Sequence, residues 1–182
     1  MRRVVFALVL AAIFGAGDQY LGSMSWHPWA ADVSLLSAPW LVLAFLAGAT
    51  QRDPRWAAML GLACTVSALS GYGLMTLSPV ENAQLSVDSA AAFIQSESRV
   101  IAGALFTGPL FGWLGQRWRT EGAWLGALAT AAVVCFEPLA RISAGREIRF
   151  RAVWMAEIAV GVALAIFFVA ARVRGRREPA RA

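Results

Sequence analysis

The sequence has few of the residue types that build metal sites and water-facing surfaces. Its 182 residues include no lysine, one histidine and two cysteines, and charged residues make up only 15%, against about 25% in a typical soluble domain. An ordinary soluble surface is therefore excluded, and the single His27 without a cysteine cluster argues against a haem or zinc site. Cys64 and Cys135 lie in apolar segments without metal-ligand spacing, so we expect both to be packing residues. We expect no metal and no cofactor.

Apolar residues dominate what remains. They form 59% of the chain, and the mean hydropathy is +0.60. Six apolar runs approach the roughly 20 residues that a membrane-spanning helix needs, and a segment in hydrocarbon must be helical to satisfy its backbone. The sequence therefore predicts a single all-α domain over 1–182, a polytopic bundle of six transmembrane helices with the lipid bilayer around it. The predicted spans are about 4–20, 33–49, 56–77, 100–115, 122–141 and 152–171.

The arginines predict the orientation of this bundle. Short cytoplasmic loops of membrane proteins carry the excess of positive charge, and eleven of the sixteen arginines fall on one side of a six-helix path. Both termini, including a basic tail at 172–182, are thus predicted to be cytoplasmic. The use of arginine alone, with much alanine and glycine, favours a bacterial plasma (inner) membrane. Because the basic residues follow the loops rather than one folded face, we expect no nucleic-acid binding.

The outer loop 142–151 breaks this rule, since it carries Arg146, Arg149 and Arg151. Either the span count is wrong, or this loop has a local demand for positive charge. We favour the second interpretation.

Three carboxyl groups lie inside predicted spans, where an ionisable group is costly and usually functional. At a rise of 1.5 Å per residue, Asp18 lies about 21 Å from the cytoplasmic side, and Glu137 and Glu157 about 22 Å. This shared depth predicts an outward-facing polar pocket. Its predicted ligand-binding residues are Asp18, Gln19, Ser70, Tyr72, Arg99, Glu137, Arg141, Arg151 and Glu157. The alternative is structural: Glu137 pairs with Arg141 four residues on, and Asp18 ends its helix near the headgroups.

Small residues mark surfaces where helices approach closely. Ala7, Ala11 and Gly15 form a ridge that predicts docking of a membrane protein partner. Residues 71–73 contain the Gly-Tyr-Gly triplet of potassium-channel filters, but they lie inside a continuous span. We therefore expect helix packing there, and likewise at Gly108, Gly112 and Gly115.

Two resemblances follow from these residues. Six short helices, an outward pocket and the ridge at Ala7, Ala11 and Gly15 resemble the substrate-binding components of energy-coupling-factor vitamin transporters, although no vitamin-specific motif is present. The segment Ser34–Gly48, the Gly-Pro-Leu-Phe-Gly stretch from Gly108 and the Glu-Pro-Leu triplet from Glu137 resemble an uncharacterised family of small bacterial integral membrane proteins. That resemblance implies a plasma-membrane location and supplies no activity.

Three functions stay open at this point. The first is a binding or transport component for a small solute, and a mixed acidic and basic lining suits a zwitterion or a proton-coupled solute. The second is a membrane scaffold without a ligand of its own. The third is an intramembrane hydrolase or transferase with Glu137 and Glu157 as acid and base, but the chain offers neither a serine–histidine pairing nor a metal constellation to support it.

Overall fold

The structure, a computed structural model, describes residues 2–177, with side chains for 4–124 and 126–173. The described residues form eight α-helices and no β-strand, which confirms the all-α class. Residues 178–182 of the predicted basic tail lie outside this description. The helices are α1 (Arg2–Ser23), α2 (Pro28–Ser34), α3 (Ala38–Ala49), α4 (Pro54–Thr76), α5 (Val87–Ser96), α6 (Ser98–Glu121), α7 (Trp124–Ser143) and α8 (Arg151–Arg177), with one 3-10 turn at Pro79–Glu81.

Several of these helices suit a bilayer. Four segments are long and apolar enough to cross a membrane, and α2 with α3 gives a fifth if the bent pair is counted as one span. The chain is thus built as a membrane protein. Helix α6 contains the predicted span 100–115, but its glycines, its proline and the arginines at its ends lower its hydropathy. The six-span count and the cytoplasmic termini therefore stay predictions. The four segments are Val4–Ser23, Pro54–Thr76, Gly126–Ser143 and Arg151–Val173.

The predicted span 33–49 is interrupted in the structure, because the chain leaves the helix at residues 35–37 and resumes it as α3. Helices α2 and α3 meet at 44°, and residues 35–37 between them are not helical. Pro39 favours a helix start at this point, although Pro109 and Pro138 are accommodated inside α6 and α7. Pro39 lies in the first turn of α3, where its missing N–H is tolerated, whereas in a continuous helix it would remove a hydrogen bond and clash with the preceding turn.

The small-residue ridge of α1 packs against α4 of the same chain. Ala11 is fully buried, and a side chain at Gly15 would overlap the backbone of Ala68. The approach is mutual, since Gly71 faces the carbonyl of Ala12 in the same way, and the Ser67 hydroxyl donates to the Leu8 carbonyl (2.8 Å). Ala11 and Gly15 are therefore covered within the chain and are not available to a partner in this structure. The Gly-Tyr-Gly triplet serves helix packing through Gly71.

Helix α6 is held in the bundle by glycines. Gly112 lies against Gly61 of α4 and Gly48 of α3, and Gly115 lies against the backbone of Phe45. Phe45 and Phe111 then form a buried core with Phe168 of α8. This packing fixes α3, and with it the break that precedes α3, relative to α7 and α8.

The connector between α3 and α4 is fixed by two side chains, one that binds the connector backbone and one that binds the start of α4. Gln116 donates to the Arg52 carbonyl (2.8 Å), and Asp53 caps α4 by accepting from the backbone N–H groups of Arg55 (2.8 Å) and Trp56 (3.0 Å). Such caps satisfy donors that the helix itself cannot.

Removal of this cap gives a modest expected effect. Asp53→Ala should lower the free energy of unfolding by about 1 kcal/mol, the usual cost of losing an N-cap oxygen. Asp53→Asn should stay near the wild-type value, because asparagine caps about as well as aspartate. Thermal unfolding of the detergent-purified variants, followed by circular dichroism, measures the difference. Equal melting temperatures for the two variants would contradict this assignment of the cap.

Candidate functional site at a broken helix

The break between α2 and α3 exposes backbone groups in the middle of an apolar region, and Glu137 of α7 binds one side of it. The Ser37 N–H donates to Glu137 Oε1 (2.7 Å), and the Ala38 N–H donates to Oε2 (2.8 Å). These N–H groups begin α3, where the helix dipole favours a negative charge. One carboxylate thus satisfies two donors that have no partner within their own helix.

Arg141, one turn further along α7, binds the other side of the break. Its Nη2 donates to the Leu35 carbonyl (3.0 Å), and its guanidinium lies over the ring of Trp154, 5.0 Å from the centroid. The structural alternative to the pocket paired Glu137 with Arg141. Instead, each of these two described side chains binds backbone of the α2–α3 break, and both are half-buried.

Asp32 joins the same region from α2 and was not predicted as a site residue. It is 1% exposed, and its Oδ2 accepts a hydrogen bond from the N–H of Phe150, which precedes α8. The loop after α7 is therefore attached to α2. Asp32 falls between the predicted spans 4–20 and 33–49, so no role was predicted for it.

Glu157 of α8 lies behind this pair and is 5% exposed. Neither of its carboxylate oxygens has a hydrogen-bond partner among the described residues, and neither has the indole N–H of Trp154, one turn earlier on the same face of α8. The charges of Glu137 and Arg141 are the ones that act on it. The site therefore combines two carboxylates, of which only Glu137 is bound by donors.

An open groove with a volume of about 490 Å³ lies against this cluster. At the end of α7, Gly145 adopts a left-handed φ of 69°, and the Arg146 N–H donates to the Arg141 carbonyl (3.0 Å). This glycine-dependent cap turns the chain so that Arg146 lines the groove. The lining residues are Ser37, Val133, Phe136, Glu137, Ala140, Arg141, Ala144 and Arg146.

Asp18 contacts other side chains than Glu137 and Glu157 do. It is 8% exposed, and it contacts the indole of Trp40, whose ring packs on Tyr72 with centroids 6.3 Å apart. The charges acting on Tyr72 are those of Asp18, Glu81 and Glu97. The contacts thus connect Asp18 with Trp40 and Tyr72, and Glu157 with Glu137 and Arg141.

The remaining predicted site residues make no side-chain hydrogen bond or ion pair with the residues described above. Gln19 is half-buried next to Asp18, and Ser70 is exposed and bonds to the Val66 carbonyl of its own helix (2.9 Å). Arg99 and Arg151 are exposed at the starts of α6 and α8. Over the described residues, no three histidine, cysteine, aspartate or glutamate side chains come together in a way that could hold a metal ion.

The family model described as "Family of unknown function (DUF6518)" matches residues 1–182, so the chain belongs to this family. The resemblance to an uncharacterised family is thereby confirmed, while the likeness to energy-coupling-factor components stays a prediction. No curated protein and no solved structure matches the chain.

Proposed function

We propose that this member of a family without an assigned activity binds, and helps to move, a small solute at the α2–α3 break. In this proposal the chain crosses a bacterial plasma membrane six times with both termini in the cytoplasm. The groove beside Glu137, Arg141 and Arg146 then opens toward the outside and receives the solute.

The observation that carries the proposal is an interrupted apolar helix beside a groove. Non-helical backbone in a membrane protein is tolerated where it is buried in protein or lines a water-filled cavity, and interrupted helices recur at the substrate sites of transporters. Here both sides of the interruption are held by charged side chains of α7. A groove of about 490 Å³ is within the size range of small-molecule sites.

A second candidate function is that of a membrane scaffold, and one surface favours it. A largely apolar groove of about 530 Å³ runs between α1, α3 and α4, and Ala7 of the predicted ridge lines it. In this case a helix of a partner protein occupies that groove, and the charged cluster serves folding. The lining residues are Phe6, Ala7, Leu10, Leu43, Leu46, Ala47, Thr50 and Cys64.

Filling the polar groove tests the solute proposal. Ala140 is exposed and lines the groove, whereas its neighbour Leu139 is exposed and does not. We expect Ala140→Trp to reduce the small molecules retained by the detergent-purified protein at least about tenfold, since an indole occupies much of the solute's space. Leu139→Trp is the matched control and should retain wild-type amounts. Mass spectrometry of the released small molecules measures both.

The outcome also separates the two candidates. Equal retention by both tryptophan variants, at equal melting temperatures, would contradict solute binding in this groove. A stoichiometric protein partner that co-purifies without any retained small molecule would favour the scaffold.

A further inference from the structure

The carboxylate of Glu157 forms no ion pair with a described arginine, and the neighbouring carboxyl group of Glu137 carries the same charge. It is 5% exposed, and neither oxygen has a hydrogen-bond partner among the described residues. An isolated ion in an apolar interior is very costly, so buried charges are paired with an opposite charge or bind a cation. Glu157 therefore requires a positive partner.

The charged side chains nearby are already engaged. On α7, Glu137 accepts from two backbone N–H groups, and Arg141 donates to the Leu35 carbonyl and lies over Trp154. On α2, which packs against α8, Asp32 accepts from the N–H before α8. Of these three side chains, only Arg141 is positive, and its charge acts on Glu137 as well as on Glu157.

The neighbouring backbone adds a further acceptor. Pro138 has no N–H, so the carbonyl of Val134 one turn earlier on α7 lacks its helical donor. Val134 is 2% exposed, and α7 packs against α8. Apart from the indole N–H of Trp154, which also lacks a partner, the unpartnered groups here are acceptors.

We propose that Glu157, together with Glu137, forms a binding site for one monovalent cation, taken up as a proton or as Na⁺. A divalent ion does not fit, because Ca²⁺ takes six to eight oxygen ligands and Mg²⁺ a near-octahedral set, whereas one carboxylate here is already bound by donors. The cation places its charge directly behind the pair that holds the α2–α3 break. This site goes beyond solute binding and stands whether or not a solute enters the groove.

The proton arm of the test uses infrared difference spectroscopy on the full-length, detergent-purified protein in choline chloride without sodium. A pH titration of the wild type should show a carbonyl stretch of a buried carboxylic acid that Glu157→Gln lacks, distinct from any band of the buried Asp18, which both proteins share. Glu147→Gln is the matched control, because Glu147 has an 84% exposed side chain and should leave the band unchanged.

The sodium arm compares melting temperatures in NaCl and in choline chloride at equal ionic strength. A ligand that binds only the folded state stabilises it, so a sodium site should give a sodium-specific rise that Glu157→Gln loses and Glu147→Gln keeps. If Glu157→Gln does not fold, Glu157→Asp replaces it, and the carboxylic-acid band should then shift rather than disappear.

The combined results decide the proposal. An acid band that depends on Glu157 assigns the cation as a proton, and a sodium-specific rise that depends on Glu157 assigns it as Na⁺. The absence of both signals, or their persistence in Glu157→Gln, would overturn the cation site. Neither result decides the groove proposal, because that proposal is tested separately by the Ala140→Trp variant.

Discussion

Gly15→Ala is expected to lower the free energy of unfolding by about 2 kcal/mol, the middle of the range for overpacking a tight contact. The added methyl group would overlap the carbonyl of Ala68 and lie 3.0 Å from its Cα. Backbone cannot rotate away as a flexible side chain can, so α1 and α4 must separate. That separation also stretches the hydrogen bond from the Ser67 hydroxyl to the Leu8 carbonyl.

Gly17→Ala provides the control on the same helix. Gly17 is exposed, and a methyl group there meets no atom within 4 Å. Glycine in a helix interior costs about 0.5–1 kcal/mol relative to alanine, so this variant should equal or slightly exceed the wild type in stability. Melting temperatures in one detergent compare the two. A Gly15→Ala protein as stable as Gly17→Ala would show that the close contact of α1 with α4 is not present.

The helical class could be predicted from the sequence because apolar composition and run length decide it. Predicted spans 4–20, 56–77, 122–141 and 152–171 correspond to α1, α4, α7 and α8 with ends shifted by a few residues. The break at 35–37 was missed although Pro39 was visible. Hydropathy averages over a window, and an apolar stretch with one proline scores almost like an uninterrupted one. The helix α5 was missed because a short exposed helix depends on its Ser86 cap more than on hydropathy.

The candidate site was predictable only in part. Depth along a helix follows from counting residues, which put Glu137 and Glu157 at one level, and in the structure these two carboxyl groups interact. Counting residues does not give the direction in which a helix face points. It put Asp18 at the same level as Glu137 and Glu157, whereas Asp18 contacts Trp40 in the structure. A sequence does not show which backbone N–H groups lack a partner within a helix. The N–H groups of Ser37 and Ala38 become partners for Glu137 only because the chain breaks before them.

The arginine-rich loop illustrates the same limit. Its charge count broke the orientation rule, and the structure places Arg146 on the groove beside Glu137, whereas the ion pair of Arg149 with Glu147 is long (3.9 Å) and exposed. An exposed pair of that length contributes little. Of Arg146 and Arg149, only Arg146 lines the groove, which is where the proposed local demand for positive charge would lie.

Removal of Glu137 is expected to have the largest effect of any single substitution in the cluster. Glu137→Ala should lower the free energy of unfolding by about 3 kcal/mol, since two hydrogen bonds to a charged acceptor are lost and the Ser37 and Ala38 N–H groups lose their partner. Arg141 also loses the neighbouring negative charge. Glu137→Gln should cost about half as much, because its amide oxygen can accept only part of what the carboxylate accepts.

Two measurements check this expectation. Melting temperatures should fall in the order wild type, Glu137→Gln, Glu137→Ala, and hydrogen exchange of a peptide covering residues 35–40 should become faster in the same order as the start of α3 frays. Glu147→Ala removes a carboxylate from the adjacent loop whose only ion pair is long and exposed, so it should change neither readout. If Glu137→Ala and Glu147→Ala gave the same exchange at residues 35–40, Glu137 would not be what holds the broken helix. The interrupted segment beside the groove would then need another support.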